Sequence, residues 1–471
     1  MGLGDGLAGR AAALAVANAI YVIVGVLRMK FVAVALGVTA VGSFGQATLL
    51  QSLAITVAAA GAVTAGRVGL SAGRDSEEQR RDASARMFRR PFIAALVTAL
   101  LLVLASPLLS QIYTGSSEHV LLFVAASVGL VPLVLSQSAL ALIQVLGTAR
   151  ELIRGSVAYL FSGSLAVALL VLPGQENVAV WSFVACPLLQ CLSLYATSAT
   201  LRRAVSDALR RRPPRRTLLH GMARASLAIS LLTIGLDTAL RSWLANTAGI
   251  TQVALLQPAQ LLAVQAFSLV SVAISQVVMV DQNQRSHGDE EAFLRGPWGT
   301  ALSLAALMAC VALIATLLSP WLVALFFSPT LAAAVPLLIV ALAAEPLRAL
   351  AWTAGSTLLP QHRTWEWAMI QIAALASLAL VTLLLAPRVG VISLMWGTLA
   401  MTAVVCIATA VVLRPRLERR LVLTAALLTL FTALVATSAV LDDRRVLCGA
   451  AAALFPALTM TMRYRRVPAA S

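Results

Sequence analysis

Six charged side chains stand inside otherwise apolar runs of this 471-residue chain: Arg28 and Lys30, Asp237 and Arg241, and Glu345 and Arg348. A charge at mid-membrane costs a few kcal/mol on insertion scales, so such residues ordinarily face a cavity or a partner. Asp237 and Arg241 are four apart and Glu345 and Arg348 three apart, so each pair shares one helix face. Two readings follow for both pairs: an internally neutralised ion pair, or carboxylates for a coupling ion beside cations open to an anionic ligand. Arg28 and Lys30 differ, because their own run holds no acid and two cations two residues apart cannot satisfy each other. One reading is snorkelling to the membrane surface. The other is capture of an anion, since a guanidinium's forked donors match phosphate oxygens and an ammonium supplies a compact charge. Gln257 and Gln260, on one face of the next apolar run, suit sugar hydroxyls or ordinary contacts between helices.

Other chemistry finds no support in the sequence. There is no Ser-His-Asp set, no pair of catalytic carboxylates, no Walker or Rossmann glycine pattern and no zinc-ligand spacing. The four histidines, His119, His220, His287 and His362, fall between apolar runs, and the five cysteines fall inside them. Neither a disulfide framework nor a metal site is expected, no cofactor is implied, and the chain does not read as an enzyme.

These residues must be held by membrane-spanning helices. Hydrophobic residues make up 60% of the chain and charged residues 11%, with a mean hydropathy of +0.90, far from the composition of soluble domains. Apolar runs long enough for a ~30 Å hydrocarbon core predict fourteen spans: 8–36, 46–66, 91–112, 120–146, 155–172, 178–201, 222–246, 253–280, 298–318, 331–358, 366–386, 391–413, 421–440 and 446–462. Residues 319–330 read as an interfacial piece. The first run continues past Arg28 and Lys30 without a small-residue cleavage site, so it reads as a span and not as a signal peptide.

The net charge of +16 reflects topology and not nucleic acid, because the arginines sit in short runs between spans with no aromatic interleaving. Alternate loops hold 28 cations, from Arg10 through the runs 67–90, 202–224 and 414–420 to 463–466, against three (Arg388, Arg444 and Arg445) on the opposite side. This predicts both termini in the cytoplasm and an even number of spans. The stretch 201–220, interrupted by Pro213 and Pro214, separates two sets of six spans. The expected domains are a six-helix lobe over 1–201, a basic linker over 202–221, a second six-helix lobe over 222–413, and two extra helices with a basic tail over 414–471. An offset of 212 residues lays Gly37-Val38-Thr39-Ala40-Val41 on Gly249-Ile250-Thr251-Gln252-Val253, at the turn after the first span of each half. Parallel repeats of a transporter are expected to match in this way. The same offset lays Arg241 on Met29, between Arg28 and Lys30, so both halves place a cation at one depth.

The run 28–46 (RMKFVAVALGVTAVGSFGQ), the stretch Arg241-Ser242-Trp243-Leu244 followed by Gly249, and Glu345-Pro346-Leu347-Arg348 resemble Wzx-type polysaccharide flippases of the multidrug/oligosaccharidyl-lipid/polysaccharide exporter superfamily. The resemblance covers the first twelve spans. It implies an all-α protein of the bacterial inner membrane, two six-helix lobes around a central cavity, and alternating access. It further implies movement of undecaprenyl-diphosphate-linked sugars to the periplasmic leaflet, with Arg28, Lys30 and Arg241 lining the cavity. Partners implied are the lipid-linked sugar, membrane lipid, and a polysaccharide polymerase and chain-length regulator. Two departures stand out: Arg28 is followed by Met29 where lipid II flippases typically carry Asp, and the first span lacks the carboxylate common in multidrug exporters. A lipid II flippase, a cation antiporter and a membrane scaffold in polysaccharide assembly remain the alternatives.

Overall fold

The computed structural model describes residues 7–59, 77–210, 221–265, 267, 290–355, 363–413 and 419–441, with short pieces at 446–447, 449–450 and 453–454. The core of the expected linker (211–220), the later part of the eighth expected span (268–280), most of the last span and the basic tail lie outside the described residues. All the regular structure described is helical. Nine stretches among the described residues are long and apolar enough to cross a membrane, and a tenth is a bent pair. One of the nine, Trp365–Val412, is 48 residues long. As one helix it would reach about 72 Å, more than twice the hydrocarbon core. It is instead two helices packed on each other, with the chain turning at Gly390 (φ +63°).

The chain forms two compact units, Met1–Ala254 and Leu255–Ser471. The first contains α1 (Leu7–Ala35), α2 (Val38–Ala59), α3 (Glu77–Leu104), α4 (Ser106–Thr114), α5 (Val120–Leu146) and α6 (Ala149–Leu170). It continues with α7 (Glu176–Ala179), α8 (Ser182–Thr197), α9 (Ala199–Arg210), α10 (Gly221–Ala248) and α11 (Ile250–Ala254). Helix α5 packs on α2, α3 and α8, while α1 packs on α6 and α10 on α2. Where lipid is as apolar as leucine, burial cannot drive helices together, and close approach of small residues takes over. Gly129 of α5 shows this: a Cβ there would collide with the carbonyl oxygen of Phe183 on α8.

The expected third span, 91–112, is longer and broken. Helix α3 starts at Glu77 and stops at Leu104, and Pro107 at the head of α4 favours a helix start over continuation. The sixth expected span ends at Thr197, and Ser198 caps the start of α9 by accepting from the backbone N–H of Leu201 at 3.1 Å. Helix α9 covers the first part of the expected linker. It is amphipathic, with Leu201 and Ala204 buried and Arg202 and Arg203 exposed, and it packs against α3. Glu151 holds its start in place. The carboxylate completes a capping box with Thr148 and also accepts from the backbone N–H and hydroxyl of Thr200 at 3.2 and 3.0 Å.

The two turns matched by the 212-residue offset share one conformation and lie side by side. Gly37 and Gly249 have φ of +88° and +91°, a region L side chains rarely adopt, and the hydroxyls of Thr39 and Thr251 are 3.4 Å apart. A Cβ at Gly42 would lie 2.5 Å from the carbonyl oxygen of Ile250.

The second unit contains α12 (256–265), α13 (Glu290–Leu317), α14 (Ser319–Phe326), a 3-10 turn (Pro329–Ala334), α15 (Val335–Gly355), α16 (Thr364–Val389), α17 (Ser393–Leu413) and α18 (Arg419–Leu441). Helix α15 is central, packing on α13, α17 and α18. The residues read as an interfacial piece include α14, bent 74° from 301–317, with Pro320 in its first turn.

Candidate functional site

A cavity of about 590 Å³ lies inside the first unit, walled by α1, α2, α5, α6, α8 and Ile234 of α10. Its polar lining comprises Arg28 and Tyr21 of α1, Gln51 and the hydroxyls of Thr48, Ser52 and Thr56 on α2, Gln137 of α5, Tyr159 of α6, and Cys186 and Gln190 of α8. Among the described residues, Arg28 is the one charged side chain on this wall. Its guanidinium carbon lies 4.5 Å from the centroid of the Phe183 ring, within cation–π range. The Phe183 ring in turn packs on Phe44 at 5.4 Å, and both phenylalanines are fully buried. These rings form a floor beneath the arginine. The Nε of Arg28 is buried and makes no hydrogen bond.

The remaining walls are fixed by short-range contacts. Gln51 donates from Nε2 to the carbonyl of Ala126 at 2.8 Å, tying α2 to α5. Tyr21 packs on Tyr159 at 5.5 Å and accepts from Ser156 at 3.3 Å, tying α1 to α6. The cavity thus carries a guanidinium, amides and hydroxyls among a larger apolar lining that includes Val24, Ile55, Leu133, Val134 and Ile234. A guanidinium donates to anionic groups, and amides and hydroxyls both donate and accept.

The other residues singled out from sequence lie elsewhere. Lys30 is half-buried on α1 and does not line the cavity. Arg241 is buried in α10, its Nη2 3.0 Å from a carboxylate oxygen of Asp237, and its backbone carbonyl accepts from Gln46 Nε2 at 3.4 Å. Arg348 and Glu345 pair at 2.9 Å within α15, with the carboxylate only 1% exposed and the guanidinium 5.8 Å from the ring centre of Phe267. Gln257 and Gln260 are half-buried on α12 in the second unit. The structure thus gives both acid–base pairs the ion-pair geometry and puts Arg28 alone of the named cations on the cavity wall.

Sequence reasoning passed over Gln51, Gln137 and Gln190. A signal was present, since each is an amide in an apolar run, 13, 17 and 14 residues from the start of Val38–Ala59, Val120–Gln144 and Glu176–Thr197, three spans that run in the same direction under the alternating topology. On the expected alternation of spans they lie within about 6 Å of one depth.

No protein-family model and no curated protein sequence matches the chain. Solved structures do. "Lipid II flippase MurJ, inward closed conformation" superposes with a TM-score of 0.63 at 13% identity, covering 96% of this chain and 97% of that one. An inward-facing multidrug resistance MATE family transporter of the MOP superfamily superposes at 0.62 and 13% identity, covering 85% and 94% of the two chains. The MATE multidrug transporter DinF-BH in complex with R6G gives 0.60 at 14%, covering 87% and 95%. The chain is a multi-pass membrane protein with the fold of the MurJ flippase and the MATE transporters of the MOP superfamily.

Proposed function

We propose that this protein is a flippase of the bacterial inner membrane that carries undecaprenyl-diphosphate-linked oligosaccharide from the cytoplasmic to the periplasmic leaflet by alternating access, for surface polysaccharide assembly. The observation that carries the reading is Arg28, a guanidinium on a cavity wall whose described residues include no carboxylate. A cationic wall of this kind suits a phosphate and disfavours a cationic drug. Likeness in fold to a lipid II flippase supports a lipid-linked substrate, and the amides of Gln51, Gln137 and Gln190 suit sugar hydroxyls better than an apolar cargo.

In this proposal Arg28 takes the diphosphate in the conformation described. Lys30 and Arg241, which the 212-residue offset sets at the same depth, take part as the cavity changes shape. Arg348, Gln257 and Gln260 serve the second lobe, and Asp237 and Glu345 hold their arginines or a coupling ion. The proposed topology has fourteen spans with both ends in the cytoplasm, the lobes at 1–201 and 222–413, the linker at 202–221 and the extra pair at 414–471. A polymerase and a chain-length regulator act on the product.

The test is complementation of a flippase-null strain, scored by surface polysaccharide beside immunoblots of membrane protein. A charge-assisted bond to phosphate contributes ~1.5 to 3 kcal/mol, so Arg28→Gln should lower export roughly tenfold or more at normal abundance, with Arg28→Lys partly active. Full export by Arg28→Gln would remove the cationic-site mechanism. For topology, a cysteine at Ser206 should resist a membrane-impermeant thiol reagent in whole cells and one at Ser116 should react. Reaction at Ser206 would overturn the orientation.

A further inference from the structure

Three hydroxyl residues of α2, Thr48, Ser52 and Thr56, line the Arg28 cavity at intervals of four, so they stack as a ladder on one helix face. Each hydroxyl donates to the carbonyl four residues before it: Thr48 to Phe44 at 2.9 Å, Ser52 to Thr48 at 3.0 Å and Thr56 to Ser52 at 2.9 Å. A hydroxyl has one proton to give and two lone pairs, so with the proton spent inside the helix each oxygen is left as an acceptor. Gln51 adds to the same wall, spending Nε2 on the carbonyl of Ala126 at 2.8 Å and keeping Oε1 as a further acceptor. Ser52 is exposed and Thr48 and Thr56 are half-buried, so a molecule in the cavity can meet the ladder.

Arg28 on α1 is the opposite case, since a guanidinium offers donors alone. Counted along each helix from the Gly37 turn at 1.5 Å per residue, Arg28 lies about 14 Å away and the three rungs about 17, 23 and 29 Å away. The ladder thus begins near the level of the guanidinium and leads away from it with a rung about every 6 Å, close to the breadth of a pyranose ring.

We propose that the α2 ladder reads the saccharide of the lipid-linked substrate, with the anion at Arg28 and the attached sugars running along α2 towards Thr56, their hydroxyls donating to Thr48, Ser52 and Thr56. An acceptor wall needs a ligand whose donors recur along a chain of rings, so the cargo class is a neutral oligosaccharide of at least two sugars on one anionic link. An amine also brings donors but is disfavoured beside Arg28. The proposal rests on the reading of Arg28 as the contact of the diphosphate.

The probes are undecaprenyl diphosphate bare, carrying one glucose, or carrying cellobiose. Each is titrated into the purified full chain in detergent and its retention read by native mass spectrometry. In the wild type the cellobiose lipid should be retained roughly tenfold better than the bare lipid, the scale of two net hydrogen bonds, with the glucose lipid between them. This comparison needs no variant, so a folding defect cannot produce it. The Thr48→Val, Ser52→Ala, Thr56→Val variant should lose the gain while its melting temperature and its retention of the bare lipid stay unchanged, because the carbonyls released keep their backbone partners. Thr56→Val alone should weaken the cellobiose lipid roughly two- to tenfold and spare the glucose lipid. Arg28→Gln should weaken all three lipids alike. Equal retention of the three lipids in the wild type, or a gain that persists in the triple variant, would overturn the ladder and leave the role of Arg28 standing. Undiminished retention of the bare lipid by Arg28→Gln would instead overturn the reading of Arg28 and the ladder with it.

Discussion

Arg28 and Arg348 are both arginines in apolar helices packed near a phenylalanine, yet their surroundings assign them different work. Arg348 has Glu345 at 2.9 Å, so its charge is balanced within α15. Arg28 lines a cavity wall, with a ring at 4.5 Å and no carboxylate among the described lining. Arg241, buried beside Asp237 at 3.0 Å, follows Arg348. A balanced arginine belongs to the fold: taking away one member leaves the other charge buried. If Arg28 serves an anionic ligand as proposed, its removal should cost the fold less than breaking a balanced pair.

The largest expected effect comes from unpairing Glu345. Arg348→Met should destabilise the protein by about 3 kcal/mol, at the lower end for a broken buried pair because Arg348 is a quarter exposed. Glu345→Gln with Arg348→Gln should recover most of that loss. Unfolding followed in detergent with increasing denaturant checks both, and the same double-change logic applies to Asp237→Asn with Arg241→Gln. Arg28→Gln in the same assay should shift stability by about 2 kcal/mol or less, the scale of one desolvated cation–π contact and short of the loss in Arg348→Met. A loss equal to that of Arg348→Met would break the comparison.

Next in size is Gly129→Ala, which drives a methyl into the Phe183 carbonyl and should cost about 1–3 kcal/mol as overpacking does. It would also disturb the floor under Arg28, so export should fall with stability and not independently of it. The smallest effect sharpens the contrast from a third direction. Glu151 is a carboxylate satisfied by N–H and O–H donors without a cation, and Glu151→Gln should cost about 1 kcal/mol, as loss of a cap does. Thermal melting would detect it.

Nine or ten of the spans were readable, as runs of apolar residues ended by charge, Pro or Gly, and α5 falls at Val120–Leu146, the expected 120–146. The repeated turn was readable for the same kind of reason: positive φ selects glycine, so Gly37 and Gly249 mark one backbone event twice. The helical register of Asp237 with Arg241 was equally local. What the sequence hid was lateral placement. Nothing in the spacing of Arg28, Gln51, Gln137 and Gln190 says that four helices turn these residues to one space, and the Phe183 ring beneath Arg28 is 155 positions away in the chain. Helix α9 was missed as a helix because its charged face and the prolines beyond it dominate the composition, while Leu201 and Ala204 are too few to form an apolar run.

The Gly129 contact has a mechanical consequence. Backbone against backbone, α5 and α8 touch at a point with no side chain to compress, which makes that crossing the stiff member of the unit. Arg28 rides on α1 and meets the Phe183 ring of α8 at 4.5 Å, a contact with a shallow dependence on lateral position. Under the proposed function, any shift of α1 would move Arg28 across a floor that the α5–α8 crossing holds in place.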